Sequence, residues 1–375
     1  MHILIAPNAF KNSLTANLAA EAISKGLQQS MLACSTVHFP VGDGGDGTGA
    51  LLMEYMKANR VNITVHDPLQ REINSCLGFT FGNQTAVIEL ADASGLRLLQ
   101  KKEYDPLHAT TFGTGELIQY ALEKNVKKII LCIGGSATVD GGMGILQALG
   151  MKFLDADGAG LPNGPLSLSG LKRIDVSGIN KKIYTTELVI LSDVENLLLG
   201  ANGAAAVFGP QKGASYEDVQ QLDNCLATFR DIVLTNTGKD MNAVKYGGAA
   251  GGVGASLHVL LHAKLVNGIE YFLDSTGFDK ALAQTDLLIT GEGSIDAQTL
   301  QGKAPFGVAR RAKERSIPVI ALAGKVPLKP NLQLQRYFDI LLPINHEAMD
   351  IETAIQNTYD NLLRTSKLLG DLMNR

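Results

Sequence analysis

The chain has 375 residues, 45% of them hydrophobic and 19% charged, enough apolar material for one large domain or two ordinary ones. Its net charge of −4 gives no basic excess for nucleic acid, and no run reaches the roughly eighteen apolar residues of a membrane span. Trp is absent and aromatics make up 6%, which argues against a stacking platform for bases or sugars.

The first residues, Met1-His2-Ile3-Leu4-Ile5-Ala6-Pro7, carry no basic leader and read as a buried strand over 2–6. A polar loop follows, Asn8-Ala9-Phe10-Lys11-Asn12-Ser13, then a helix from Thr15 to Gln28 with Leu18, Ala22, Ile23 and Leu27 on one face. A polar loop at the carboxyl end of a first strand is a standard ligand position in open α/β sheets. Residues 37–41 predict a second strand and Leu51 to Met56 a helix. Between them lies Gly42-Asp43-Gly44-Gly45-Asp46-Gly47. Glycines let this loop turn sharply, and it ends where a helix N-terminus favours an anion. Asp43 and Asp46 would repel a bare phosphate but accept one that carries Mg²⁺, so the loop reads as a metal–phosphate site. Gly42-x-Gly44-x-x-Gly47, with Asp67 downstream, also spells the dinucleotide fingerprint, although two aspartates oppose a naked pyrophosphate.

Residues 61–65 alternate like a third strand, and the texture changes from His66. Asp67 to Glu72 reads as a turn into strands, with Thr85 to Leu90 a clear one. Gly113-Thr114-Gly115-Glu116 opens a helix to about Asn125, and Lys128 to Ile133 is a strand. It feeds the Gly134 to Gly142 loop, where backbone N–H groups and the hydroxyls of Ser136 and Thr138 suit a phosphate. Residues 155–170 predict an exposed loop. Leu188 to Leu191 predicts a strand ending in Ser192-Asp193-Val194-Glu195, and Glu217 to Leu234 a helix. The small-residue stretch Gly247 to Gly254 enters a helix carrying His258 and His262, which lack the intervening Glu of a zinc helix and read as packed or surface histidines.

From Gly277 the βα rhythm returns. A helix over 278–284 leads to a strand, Asp286 to Thr290, and to a loop, Gly291 to Lys303, carrying Glu292, Ser294 and Asp296. A helix to about Arg315, strands Ile317 to Ala323 and Phe338 to Leu342, and one long helix from Ile351 to Met373 close the chain. The expectation is an α/β protein of two domains. A discontinuous Rossmann-like doubly wound domain, residues 1–65 plus 278–375, is interrupted by a second α/β domain, residues 66–277, with ligands in the cleft. Cys34, Cys76, Cys132 and Cys225 lie far apart among apolar neighbours and read as reduced core thiols of a cytoplasmic protein.

Three loops carry paired acids after a strand: Asp43/Asp46, Asp193/Glu195 and Glu292/Asp296. Carboxylates so placed suit a hard cation with its phosphate, or a base for a hydroxyl proton; a first-turn acid also simply caps a helix. Lys11 and Lys303 offer cations for a transferring phosphoryl group. The G-x-S-x-G elbow, the G-x-x-x-x-G-K-[ST] loop and the protein-kinase signature set are missing from the sequence.

These motifs together resemble the bacterial glycerate kinase family of the glycerate 2-kinase type. Asn8 to Leu14 is similar to that family's D-S-F-K-G-S-L, and Asp43 to Thr48 to its D-G-G-E-G-T. Gly113 to Ile118, Gly134 to Thr138, Ser192 to Val194 and Thr290 to Asp296 also match, while Asn8, Asp46 and Val139 depart from the pattern. The resemblance implies ATP-dependent, Mg²⁺-assisted phosphorylation of D-glycerate, usually to 2-phosphoglycerate, by two α/β domains around a cleft. The nucleotide is then expected on Gly44, Gly45, Gly113, Gly115, Gly134, Gly135, Ser136 and Thr138, and Mg²⁺ on Asp43, Asp46 and Asp193. Glycerate is expected on Lys11, Ser13, Asp43, Asp46, Glu292 and Ser294, with Lys11, Asp193 and Asp296 as catalytic groups: Lys11 offsets charge on the phosphoryl group, and Asp193 or Asp296 accepts the hydroxyl proton. The expected partners are small molecules, with no nucleic acid and no membrane; a homo-oligomer is compatible with the sequence. A non-catalytic nucleotide- or sugar-acid-binding protein and a dinucleotide-dependent oxidoreductase are the alternatives.

Overall fold

The structure is a computed structural model describing residues 1–329 and 331–374, so Arg375, the end of the expected terminal segment, lies outside the described residues. The strands are β1 (His2–Ile5), β2 (Ser35–His38), β3 (Asn59–His66), β4 (Glu72–Thr80), β5 (Thr85–Glu89), β6 (Lys128–Cys132), β7 (Lys152–Leu154), β8 (Arg173–Asp175), β9 (Glu187–Ser192), β10 (Lys264–Asn267), β11 (Leu287–Ser294), β12 (Val319–Lys325) and β13 (Ile340–Pro343).

The chain divides into two compact units, Met1–Asp43 with Ile269–Arg375, and Gly44–Gly268. In the first, five parallel strands run in the order β13-β12-β11-β1-β2. Counted within the unit this is 2-1-3-4-5, the flavodoxin-type doubly wound order, not the Rossmann order. Its core joins Ile3 and Ile5 to Leu287, Ile289, Ile320 and Leu322, covered by Ile23 and Leu27 from one helix and Leu362 and Leu369 from another. The order reverses between β1 and β11, which makes their carboxyl ends the unit's natural ligand crevice.

The second unit holds a six-stranded mixed sheet, β10-β9-β6-β5-β4-β3, and a two-stranded one, β7-β8. β10, β9, β6 and β5 are parallel; β4 and β3 are antiparallel additions. Residues 44–65, expected with the first segment, fold here because β3 pairs along its whole length with β4. Its core runs from Val65 and Leu77 through Ile129, Leu131 and Ile190 to Phe229 and Val253.

Local differences from the sequence reading have local causes. β2 begins earlier and ends at His38, since Pro40 has no N–H to continue the ladder. Leu18, expected on the buried face, is 42% exposed; the Ala16–Gln28 helix packs instead through Ala19, Ala20, Ile23 and Leu27. The closing helix is two, Ile351–Gln356 and Thr358–Met373, broken at Asn357. Residues 155–170 are not all exposed: Leu168 is buried in the second core. Cys132 and Cys225 are buried, Cys34 and Cys76 half-buried, and all are free thiols.

Candidate functional site

In the first unit, the loop after β1 is tied to β11 by Asn8 N–H, which donates to the Gly291 carbonyl at 2.8 Å. Phe10 pairs with Leu14 and is buried, so the loop is a closed turn with Lys11 exposed at its tip. The β11 loop faces it: a Cβ added at Gly293 would stand 3.7 Å from the Lys11 backbone nitrogen. Ser13, expected on substrate, spends its hydroxyl on the Ile355 carbonyl at 2.6 Å. Asp43 is 5% exposed, and its Oδ2 accepts from Asn8 Nδ2 at 2.9 Å and from Ala304 N–H at 3.2 Å. That second donor opens the Ala304–Lys313 helix, where a carboxylate is favoured by the helix dipole.

Glu292 lies one residue past Gly291 and is 7% exposed. Its Oε1 accepts from the Thr299 hydroxyl at 3.0 Å. Burial pushes its carboxyl up to about 8; Asp43 and Asp296 push the same way, Lys303 and Thr299 oppose. Asp296 instead caps the Ala297–Gln301 turn: Oδ1 accepts from Gln298 N–H at 2.8 Å, and its own N–H donates to Thr299 Oγ1. Ser294 sits half-buried in the ladder opposite Lys325.

In the second unit, the Gly44–Thr48 turn lies on the carboxyl ends of β9 and β6. Gly44 has φ +99°, and a Cβ there would come within 2.8 Å of the Leu191 carbonyl. Its own carbonyl accepts from Gly134 N–H at 2.9 Å, which brings two of the expected phosphate loops side by side. Gly45 and Gly135 belong to those turns; Gly135 is exposed, with φ +72°. Ser136 is 8% exposed, whereas Thr138 is fully buried and faces no solvent. Asp193 follows the end of β9 half-buried, while its neighbour Glu195 is drawn into a surface ion pair with Lys245 at 2.9 Å.

Gly113 and Gly115, expected on the nucleotide, are buried inside the Phe112–Glu123 helix. A Cβ on Gly115 would meet Ala148 Cβ at 2.6 Å, and one on Gly113 would collide with the His66 carbonyl. Both positions serve close packing. Asp67, the acid of the dinucleotide fingerprint, accepts from Leu69 N–H at 2.8 Å, Arg71 N–H at 2.9 Å and Arg71 Nε at 2.6 Å, so its carboxylate closes a local turn. His258 Nδ1 donates to the Ala263 carbonyl at 2.8 Å, closing a helix end, as the sequence reading expects. Among the described residues, no three His, Cys, Asp or Glu side chains stand close enough to hold a metal by themselves.

Four residues that sequence reasoning did not single out shape these loops. Arg97, from a short 3-10 turn, pairs with Asp46 and Asp92 and stands 3.9 Å from Glu89. Glu89, at the end of β5, accepts from Gly47 N–H and, at 3.2 Å, from Ala50 N–H, the opening of the Thr48–Tyr55 helix. Lys212 is 2% exposed and donates to Ser136 Oγ at 2.8 Å and the Thr138 carbonyl at 2.7 Å. Asp140 is fully buried and accepts from Thr111 N–H and hydroxyl, Gly142 N–H and Gly144 N–H at 2.7–3.2 Å. Only Glu89 left a signal in the sequence, an acid closing an apolar run.

Two expected results follow from these contacts. Asp140→Ala strands four buried donors and should cost about 3–5 kcal/mol, at ~1–3 kcal/mol for each unsatisfied group with partial relaxation, read as a fall in Tm. Burial, with Asp92 next, pushes the Glu89 carboxyl from its ordinary 4.5 up to about 8. Between those pH values the unfolded chain releases a proton that the folded chain keeps, so stability falls as pH rises. Glu89→Gln should remove this contribution: the Tm difference between wild type and variant should drift against the wild type from pH 4.5 to about 8 and then level off. A pH-independent difference would contradict the assignment.

The chain matches the family model described as "Glycerate kinase family" over residues 3–374. It is 41% identical to a Bacillus subtilis (strain 168) protein named glycerate kinase, over 98% of this chain and 96% of that one. It is 39% identical to an Escherichia coli (strain K12) protein named glycerate 2-kinase, over 98% and 96%. A solved structure described as glycerate kinase 2, from Salmonella typhimurium LT2, superposes with a TM-score of 0.81 at 38% identity, covering 100% of this chain and 98% of that one.

Proposed function

The chain belongs to the glycerate kinase family, and from that premise we propose how its residues move the γ-phosphoryl group of ATP to the 2-hydroxyl of glycerate. The observation that carries the reading is the approach, at the carboxyl ends of β1 and β11, of the turn that bears the exposed Lys11 to the strand end that bears the buried Glu292.

In this reading the first unit handles the acceptor. Lys11 lies near the transferring phosphoryl group and offsets the charge on its oxygens. The loop around it, with Lys303, meets the glycerate carboxylate. Asp43 orients the site by joining Asn8 to the Ala304–Lys313 helix. The second unit handles the nucleotide. The turns at Gly44, Gly45, Gly134 and Gly135 and the Ser136 hydroxyl line the phosphates, with Lys212 holding Ser136 in place.

The donor set fits Mg²⁺ bound through substrate: oxygen ligands only and no self-sufficient cage, as expected for an ion that relies on one or two carboxylates, water and phosphate oxygens. Asp193, half-buried just past the end of β9 and beside the Gly44 turn on Leu191, is the carboxylate we assign to it. Bound there, Mg²⁺ would supply charge neutralisation to the phosphate oxygens.

Among the described residues no helix is long and apolar enough to cross a membrane. Four free thiols support a reducing, cytoplasmic setting. The reading is tested by a coupled ADP-release assay across glycerate, glyoxylate-derived acids and related hydroxy acids. Glycerate-dependent ADP release is expected. ATP binding without turnover would return the non-catalytic alternative, and NAD(P)H oxidation by a hydroxy acid's keto form the oxidoreductase.

A further inference from the structure

We propose that Glu292 is the catalytic base that takes the proton from the acceptor hydroxyl of glycerate, and that Thr299 positions it. The proposal rests on the reading above and replaces Asp296 and Asp193 as the expected proton acceptor.

The first unit sets three carboxylates near the carboxyl ends of β1, β2 and β11, and the structure gives them different work. Asp43 is bonded to Asn8 and to the first N–H of the Ala304–Lys313 helix. Asp296 caps the Ala297–Gln301 turn through Gln298 N–H. Glu292 does neither. Thr299 Oγ1 donates to Oε1 at 3.0 Å, and Oε2 takes no hydrogen bond among the described residues. The residue is part of β11, aligned with Ala323 of β12, so its backbone is fixed by a paired strand, not by a loop. A Cβ added at the next residue, Gly293, would stand 3.7 Å from the Lys11 backbone nitrogen. In this proposal the acceptor hydroxyl lies between the Lys11 turn and the end of β11, within reach of Oε2.

The charged groups facing Glu292 are Lys303, Asp43 and Asp296. Burial is the largest influence and pushes the carboxyl up to about 8. A base of that strength is well matched to proton transfer near neutral pH, where a fully solvated carboxylate is weak.

The O–H bond of the glycerate 2-hydroxyl breaks, and its proton goes to Glu292. The freed oxygen forms the bond to the γ-phosphorus, and the bond from that phosphorus to the β,γ-bridging oxygen breaks, releasing ADP. Glu292 then returns its proton to solvent.

The test begins with wild type. Glycerate-dependent ADP release tests the underlying reading independently of Glu292. If it is present, Glu292→Gln should lower kcat by about 10²- to 10⁴-fold, the usual worth of a general base, with ADP affinity by equilibrium binding within about threefold of wild type. In wild type, kcat/KM for glycerate should climb with pH and level off above about 8. Thr299→Val removes a bond that favours the charged carboxylate, so that limb should move to higher pH, and Thr299→Ser should restore it. A Glu292→Gln enzyme within about fivefold of wild-type kcat would overturn the proposal. So would a flat wild-type profile, or a limb that Thr299→Val leaves in place, even if Glu292→Gln fails to fold.

Discussion

Lys11→Met is expected to lower kcat/KM for glycerate by about 10²- to 10³-fold while leaving Tm within a degree or two, since removing one preorganised partner of a developing oxyanion costs roughly that much. The two halves of this expectation come from different observations. Lys11 is exposed at the tip of a turn closed by Phe10 and Leu14, so the fold does not depend on its side chain. The turn itself is pinned, because Asn8 N–H extends the β1–β11 ladder to the Gly291 carbonyl and Asn12 takes a left-handed φ of 63°. The ammonium therefore projects from a fixed base. Lys11→Arg should recover only part of the loss, because a guanidinium places charge in a planar fork and not at a point. Steady-state kinetics with thermal denaturation check both halves. A Lys11→Met enzyme with near-normal turnover would remove the phosphoryl-side role.

Asp193→Asn is expected to lower kcat by about 10²-fold at fixed Mg²⁺ and to raise the Mg²⁺ concentration needed for half-maximal rate by at least about tenfold, since an amide is a poorer ligand for a hard cation than a carboxylate. The placement behind this is narrow. β9 ends at Ser192, and the Gly44 turn packs so tightly on Leu191 that no side chain fits there. Asp193 is the next residue, half-buried, while Glu195 is held away by Lys245. A Mg²⁺ titration at fixed ATP separates this role from that of a proton acceptor. A variant with reduced rate but an unchanged Mg²⁺ requirement would contradict the metal assignment.

The parallel α/β pattern and the three acid-bearing loops were legible because strands, glycine turns and helix starts leave short-range marks. What those loops do was less legible, because it depends on contacts distant in sequence. Gly113 and Gly115 look like a phosphate loop in one dimension, and only the approach of Ala148 and His66 shows them to be packing positions. Asp43, Asp46 and Asp296 are alike as letters. Their differences come from Asn8 and Ala304, from Arg97, and from Gln298 and Thr299. Arg97 and Lys212 sit on 3-10 turns without periodic signal, so nothing nearby marked them. The unit boundary moved from residue 65 to 43 because β3 prefers β4, a pairing that alternation alone does not assign.

Transfer of the γ-phosphoryl group from ATP to the 2-hydroxyl of glycerate is decided by proton–phosphorus correlation NMR on the product of a reaction with ATP, Mg²⁺ and glycerate. A single phosphomonoester whose phosphorus couples to the C2 proton is the result expected; phosphorus coupled to the C3 methylene, or inorganic phosphate alone, would contradict it.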